Sequence, residues 1–224
     1  MITRISSVAA IVLCLALSVS GCSSPRTTSP AEPVAPIPPA GPTPERDDIE
    51  LDQRAGLCHV LLKGNLDEYS ARSLRHTLSQ IDLAACRSKR VLIDLRGGQV
   101  GSALSVGAII KNRGFDTQIQ PGTVCLTPCM LVFAAGRERI MLPSAPPTRI
   151  GFSQIPRDED FGHRVCATEL TAPQALTLTR YLRAMLPLTT ANAVMQKLLA
   201  ATCDRTDYLD SSSALSLGLA TVVR

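Results

Sequence analysis

Tryptophan is absent from this sequence of 224 residues, and aromatic residues together make up only 3% of it. This scarcity argues against a module that stacks carbohydrate on aromatic rings. The formal net charge of +4 is modest, and no basic cluster is interleaved with aromatics, so nucleic acid is not expected as a partner. Neither a GxGxxG motif nor a P-loop opens any predicted helix, and we expect no cofactor.

The N-terminus has the three parts of a lipoprotein signal peptide. Arg4 supplies a short positive region, residues 8–19 are almost wholly apolar, and the run ends in Val19-Ser20-Gly21-Cys22. Such a run is shorter than the apolar segment that a transmembrane helix needs. We therefore expect residues 1–21 to be removed and Cys22 to carry lipid. The alternative is an ordinary secretory signal in which Cys22 is incidental.

A proline-rich linker follows the lipidation site, over residues 22–48. Eight of the sixteen prolines lie between Pro25 and Pro44, a composition that favours extended polyproline geometry over a packed core. Fully extended, the twenty residues from Pro25 to Pro44 would reach about 60 Å. Ser23, rather than aspartate, follows the lipidated cysteine. In a bacterium with two membranes this predicts a periplasmic domain held at the outer membrane.

The remaining residues, 49–224, suit one domain with six cysteines: Cys58, Cys86, Cys125, Cys129, Cys166 and Cys203. An even number in an oxidising compartment predicts three disulfides, although fifteen pairings are formally possible. A zinc site at Cys125-Leu-Thr-Pro-Cys129 is the rival interpretation. No second close pair and no nearby histidine completes four ligands, so no metal is expected.

Strands and helices alternate along this domain, which predicts an α/β fold with a mainly parallel sheet. The helices expected from apolar spacing are 67–81, 102–112, 129–135, 173–185, 190–201 and 211–217. The expected strands are 57–62, 91–95, 117–119, 123–124, 139–142, 149–152 and 220–223. Strand 91–95 is apolar apart from Asp94, which is typical of a strand buried on both faces, and Gly97-Gly98 is expected to end it.

Five motifs in this order resemble the ClpP/crotonase superfamily, and specifically its exported ClpP-like relatives. They are Gly64-Asn-Leu-Asp67, Val91-Leu-Ile-Asp-Leu-Arg-Gly-Gly-Gln-Val100, the stretch from Cys125 to Gly136, Arg149-Ile-Gly-Phe-Ser153, and the stretch from Tyr208 to Leu219. The resemblance covers nearly all of residues 55–224. It implies a spiral of ββα units that commonly stack into trimers or rings.

The resemblance also implies where peptidase machinery would lie. The nucleophile position is Thr127, the histidine position is Ser153, and Gly98 would offer a backbone N–H to an oxyanion. The acid falls near residues 202–207, where Asp204 and Asp207 are available.

This sequence departs from the peptidase pattern in three ways. Threonine replaces the serine nucleophile, and its added methyl group restricts the side chain. Ser153 replaces the histidine and cannot serve as a base at neutral pH. Pro128 follows Thr127 and has no backbone N–H, so one oxyanion donor is missing.

Other bases are not well placed in the sequence. Of the three histidines, His59 and His76 are expected to be structural or on the surface, and His163 lies in a polar loop near the substrate side. No lysine falls in the stretch where lysine-using members of the superfamily carry theirs. We therefore expect a catalytically degenerate domain that binds a peptide or protein or acts as a scaffold. The alternatives are an active serine- or threonine-type endopeptidase with a non-standard base, and an acyl-group enzyme of the crotonase type.

Further expectations concern disulfides and self-association. Parallel neighbouring strands would place Cys58 and Cys86 at one end of the sheet, so we pair them. Cys125 and Cys129 lie one helical turn apart and can pair locally, which leaves Cys166 with Cys203. The leucine-rich stretch 170–188 would offer an apolar surface to a second copy, unless its leucines simply complete the core.

Overall fold

A computed structural model of the chain describes residues 48–54, 56–153, 170–202 and 205–223. The predictions for the signal peptide, most of the linker, His163, Cys166, Cys203 and Asp204 lie outside these residues. Among the described residues no helix is long and apolar enough to cross a membrane.

Strands and helices alternate along the described chain, as the sequence predicts. The strands are β1 (Ile49–Arg54), β2 (Leu57–Leu66), β3 (Ser88–Gly98), β4 (Asp116–Ile119), β5 (Val124–Cys125), β6 (Arg139–Met141), β7 (Arg149–Phe152) and β8 (Asp207–Leu209). The helices are α1 (Ser70–Ser79), α2 (Val100–Arg113), α3 (Thr127–Ala134), α4 (Ala172–Met185), α5 (Leu188–Ala200) and α6 (Ser211–Ser216).

The larger sheet has the strand order β1-β2-β3-β4-β6. Its last four strands run parallel, and β1 joins β2 in antiparallel fashion. The sequence prediction of a mainly parallel α/β fold is therefore confirmed. In β3 the side chains of Val91, Ile93 and Leu95 are buried, whereas Leu92 between them is half-buried. The expectation that this strand is buried on both faces is wrong, because the face that carries Leu92 and Asp94 is only partly covered.

The glycine pair forms the last two residues of β3, so the strand ends at these glycines but includes them. The strand continues through Gly98, which pairs with Leu66 of β2. Gly98 has φ +131°, and a Cβ atom there would lie 2.4 Å from the backbone nitrogen of Leu66. A glycine is therefore required by the close approach of two backbones rather than by a chain break. The predicted final strand is reduced to a single bridge between Ile140 and Val222.

Two of the predicted disulfides are confirmed. Cys58 of β2 is bonded to Cys86, just before β3, with 5.7 Å between their Cα atoms. Cys125 at the end of β5 is bonded to Cys129 in the first turn of α3, with a Cα separation of 5.2 Å.

The buried Arg139 fastens the last described residues to β6. Its guanidinium group donates hydrogen bonds to the carbonyl oxygens of Leu219 (2.7 Å), Gly218 (3.2 Å) and Gly136 (3.2 Å). Burial lowers the pKa of this side chain. The backbone of Arg139 also accepts hydrogen bonds from the N–H groups of Thr221 and Val222. A buried cation thus satisfies carbonyl groups in the segments that follow α3 and α6.

The leucine-rich stretch is divided between core and surface. Leu178, Leu182 and Leu186 are buried, so they complete the core. Leu176 and Leu188 are 49% and 60% exposed, which leaves only isolated leucines available to a partner.

Candidate functional site

The nucleophile position lies at the start of a helix that is buried on every side. All eight residues of α3 are buried, as expected for a helix whose sequence is apolar all round. Thr127 is its first residue and is 0% exposed. The hydroxyl group of Thr127 is therefore packed inside the domain rather than presented to solvent.

The structure brings Thr127 and Ser153, the two matched positions, into direct contact. The Thr127 hydroxyl donates to the backbone carbonyl of Ser153 over 2.8 Å and accepts from the Ser153 backbone N–H over 3.2 Å. The two side-chain hydroxyl oxygens lie 3.4 Å apart. The proton of Thr127 is thus directed at an amide carbonyl, which cannot take it as a general base at neutral pH.

Two covalent features surround this hydroxyl. Pro128 is the second residue of α3, so the backbone N–H that would follow the nucleophile is absent. The Cys125–Cys129 disulfide spans Thr127, and both of its cysteines are 0% exposed. The bridge and the proline together fix the turn that carries Thr127.

Asp207 shares a sheet face with Phe152 and is paired with a lysine. In the antiparallel β7–β8 pair, Asp207 lies opposite Phe152, and directly opposed residues share a face of the sheet. Ser153 lies just beyond the end of β7. The Asp207 carboxylate binds the ammonium group of Lys197 at 2.7 Å.

Thr206 is the residue that would face Ser153 if the β7–β8 register continued by one position. Sequence reasoning missed it. The available signal in the sequence was the apolar Leu209, which is buried in the structure. In a strand, residue 207 shares the buried face of Leu209, whereas residue 206 points to the opposite face.

An open groove lies beside these positions. Its volume is about 520 Å³, and it is lined by Asp94, Leu95, Arg96, Pro121, Gly122, Thr123, Val124, Leu126 and Pro146. Thr123 donates a hydrogen bond of 3.2 Å to the Asp94 carboxylate. Gly98, the predicted oxyanion donor, is not among the lining residues and lies against Leu66 at the end of β3.

The described histidines have no catalytic geometry. His59 lies in β2, with a buried Nε2 that has no hydrogen-bond partner among the described residues. His76 is exposed on α1. Across the residues that the structure describes, no group of three or more histidine, cysteine or acidic side chains could hold a metal ion.

Comparison with known proteins identifies the fold. No protein-family model matches the chain, and no curated protein matches it in sequence. The chain is similar in structure to a mutant of the 1510-N membrane-bound stomatin-specific protease. The two share 15% identity and a TM-score of 0.53, over 73% of this chain and 77% of that one.

Two ClpP structures are similar to the same extent. ClpP1 from Listeria monocytogenes shares 15% identity, with a TM-score of 0.52 over 74% of this chain and 90% of that chain. The ClpP catalytic domain from Plasmodium falciparum shares 18% identity, with a TM-score of 0.51 over 73% and 83%. The chain therefore has the fold of ClpP-like proteases, as the resemblance implied. At these identities the likeness establishes the fold alone.

Proposed function

We propose that this chain is a lipid-anchored, extracytoplasmic ClpP-like domain that has lost peptide hydrolysis and binds a peptide or protein ligand. The hydrogen bonding of Thr127 carries the proposal. A nucleophilic hydroxyl needs a base that accepts its proton. The Thr127 proton is instead donated to the Ser153 carbonyl over 2.8 Å.

The backbone supports the same conclusion. Pro128 removes the N–H that would hold the developing oxyanion, and one such donor contributes about 2.7–4 kcal/mol of transition-state stabilisation. Loss of the base removes most of the rate acceleration that a catalytic triad provides. A buried Thr127 also leaves no room for the approach of a scissile carbonyl.

The groove beside Leu126 supports ligand binding. Two prolines, Val124 and Leu126 form its apolar walls. The Asp94 carboxylate and the Arg96 side chain add polar groups to the lining. Concave sites with apolar walls and a few polar groups are typical of ligand binding.

Labelling with a fluorophosphonate probe tests the loss of hydrolysis, because this probe reacts with activated hydroxyl groups. We expect no labelling of the natural chain and none of Thr127→Ser, since the base and the oxyanion donor are still missing. The combined variant Thr127→Ser, Pro128→Ala, Ser153→His should label detectably. Adding Thr206→Asp, which supplies an acid opposite residue 153, should increase the labelling.

Labelling of the natural chain that disappears in Thr127→Ala would establish an active peptidase with a non-standard base. Labelling that persists in Thr127→Ala would show that another residue is the nucleophile. Either result contradicts the proposed loss of hydrolysis.

Metabolic labelling with an alkyne fatty acid tests the anchor. The natural chain should be labelled and Cys22→Ala should not, because Cys22 is the proposed acceptor. Equal labelling of both would remove the lipid anchor from the proposal. The proposed position at the outer membrane predicts that the labelled protein separates with that membrane on fractionation.

Self-association is also proposed, through the exposed Leu176 and Leu188 on α4 and α5. Light scattering on residues 49–224 should give a mass above that of one chain. A monomer at high micromolar concentration would contradict this part of the proposal.

A further inference from the structure

A second cavity lies between α5, Asp207 at the start of β8, and Leu217. Its volume is about 620 Å³, and it is lined by Ala193, Gln196, Lys197, Ala200, Ala201, Thr202, Arg205, Asp207 and Leu217. This volume is within the range of small-molecule binding sites. Neither Thr127 nor Ser153 is among its described lining residues, and it shares none with the groove beside Leu126, so the cavity is separate from the peptidase-like site.

Small residues at helical spacing create this space. Ala193 and Ala200 lie seven positions apart on α5, with Lys197 between them on the same stripe of the helix. Their methyl groups do not fill the gap towards Leu217, which follows α6 and is half-buried. These two alanines and Leu217 give the cavity an apolar wall, in which Ala193 and Leu217 are half-buried and Ala200 is exposed.

The charges at the cavity rim are unequal. The Lys197 ammonium group is held at 2.7 Å from the Asp207 carboxylate and 5.6 Å from the centre of the Phe152 ring. These contacts neutralise Asp207 and position Lys197. Arg205 is exposed and forms no ion pair within the described part of the chain. Among the described lining residues one positive charge is thus in excess, on a planar group suited to an oxyanion.

We infer that this cavity binds a small organic monocarboxylate with an apolar side chain, such as an N-acylated amino acid or the C-terminal residue of a peptide. Arg205 pairs with the carboxylate, and Lys197 adds attraction from beside Asp207. The apolar side chain covers Ala193 and Ala200. One excess cation among the described lining residues matches one negative charge, which favours a carboxylate over a phosphate dianion.

Titration calorimetry on the mature chain from residue 22, with Cys22→Ser to avoid lipidation, tests this inference. The ligands are N-acetyl-leucine and N-acetyl-leucinamide, which differ only in the carboxylate. We expect N-acetyl-leucine to bind, and the amide to bind at least about tenfold more weakly. Arg205→Gln should reduce the affinity for N-acetyl-leucine by a similar factor. Arg149→Gln, an equally exposed arginine at β7 beside the Tyr208 ring, is the matched control and should leave binding unchanged.

Two further measurements make the test independent of any single variant. Ala200→Leu should abolish binding because the larger side chain occupies the space that the ligand needs. A thermal scan should show that this variant is still folded. Inorganic phosphate should not compete with N-acetyl-leucine. Equal binding of acid and amide, unchanged affinity in Arg205→Gln, competition by phosphate, or no binding at millimolar concentration would each overturn the inference.

Discussion

Replacing Thr127 with valine separates a structural hydroxyl group from a catalytic one. Valine keeps the shape of threonine and its preferred rotamers, but it can neither donate to the Ser153 carbonyl nor accept from the Ser153 N–H. In the structure these two hydrogen bonds tie the start of α3 to the end of β7. If this connection is the role of Thr127, the substitution should weaken the whole domain.

The size of the effect follows from these two contacts. An intramolecular hydrogen bond contributes about 1 kcal/mol of net stability, so the free energy of unfolding should fall by about 2 kcal/mol. For a domain of this size the melting temperature should fall by about 4–8 °C. Thr127→Ser keeps both hydrogen bonds and removes one buried methyl group, so it should cost only about 1 kcal/mol.

Urea unfolding of the disulfide-bonded chain, followed by far-UV circular dichroism, measures these differences. Thr177→Val is the matched control, since the Thr177 hydroxyl bonds to Pro173 on the exposed side of α4. It should change the stability by less than about 0.5 kcal/mol. A Thr127→Val chain as stable as the natural one, or more stable, would refute the structural role and favour a hydroxyl group kept for reaction.

Three other changes have defined outcomes. Cys58→Ala with Cys86→Ala opens a bridge between residues 28 positions apart, so urea unfolding without reductant should show a loss of about 3–4 kcal/mol. Arg139→Met leaves three carbonyl groups without their donor, and the same assay should show a loss of about 3 kcal/mol or more; an unchanged midpoint would contradict the assigned hydrogen bonds. Hydrogen bonding from the Ser213 N–H lowers the pKa of Asp210 from 3.8. Its contribution to stability is therefore present above that pH and is lost as the pH falls below it, so the melting temperature of Asp210→Asn should depend less on pH on the acid side than that of the natural chain.

Local sequence signals predicted most of the helices and strands. Apolar residues at spacings of three and four located α1 and α4 to within a few residues, because those residues form the buried stripe of each helix. The Cys58–Cys86 pairing followed from adjacent parallel strands. By contrast, β1 escaped prediction because five of its six residues are exposed. Only its backbone pairing with β2 makes it a strand, and this pairing depends on tertiary contacts that no local pattern encodes.

The site was predictable in position but not in geometry. Matching to the superfamily placed Thr127 near Ser153, and the structure brings them into contact. The direction of the Thr127 hydroxyl depends on a rotamer and on the path of β7, which no sequence pattern encodes. The face on which Asp207 lies depends on the β7–β8 register, and a shift of one residue would reverse it.

The attachment of the last described residues to β6 has a consequence for aggregation. A sheet edge with unpaired N–H and C=O groups can recruit a strand from another chain. At β6, Thr221 and Val222 occupy backbone groups of Arg139, and Met141 donates to Val222. At the opposite edge, β1 carries the charged side chains of Glu50, Asp52 and Arg54, which discourage strand addition. Removing the last few described residues should therefore leave the backbone groups of β6 unpaired, and we expect the shortened domain to polymerise through this edge.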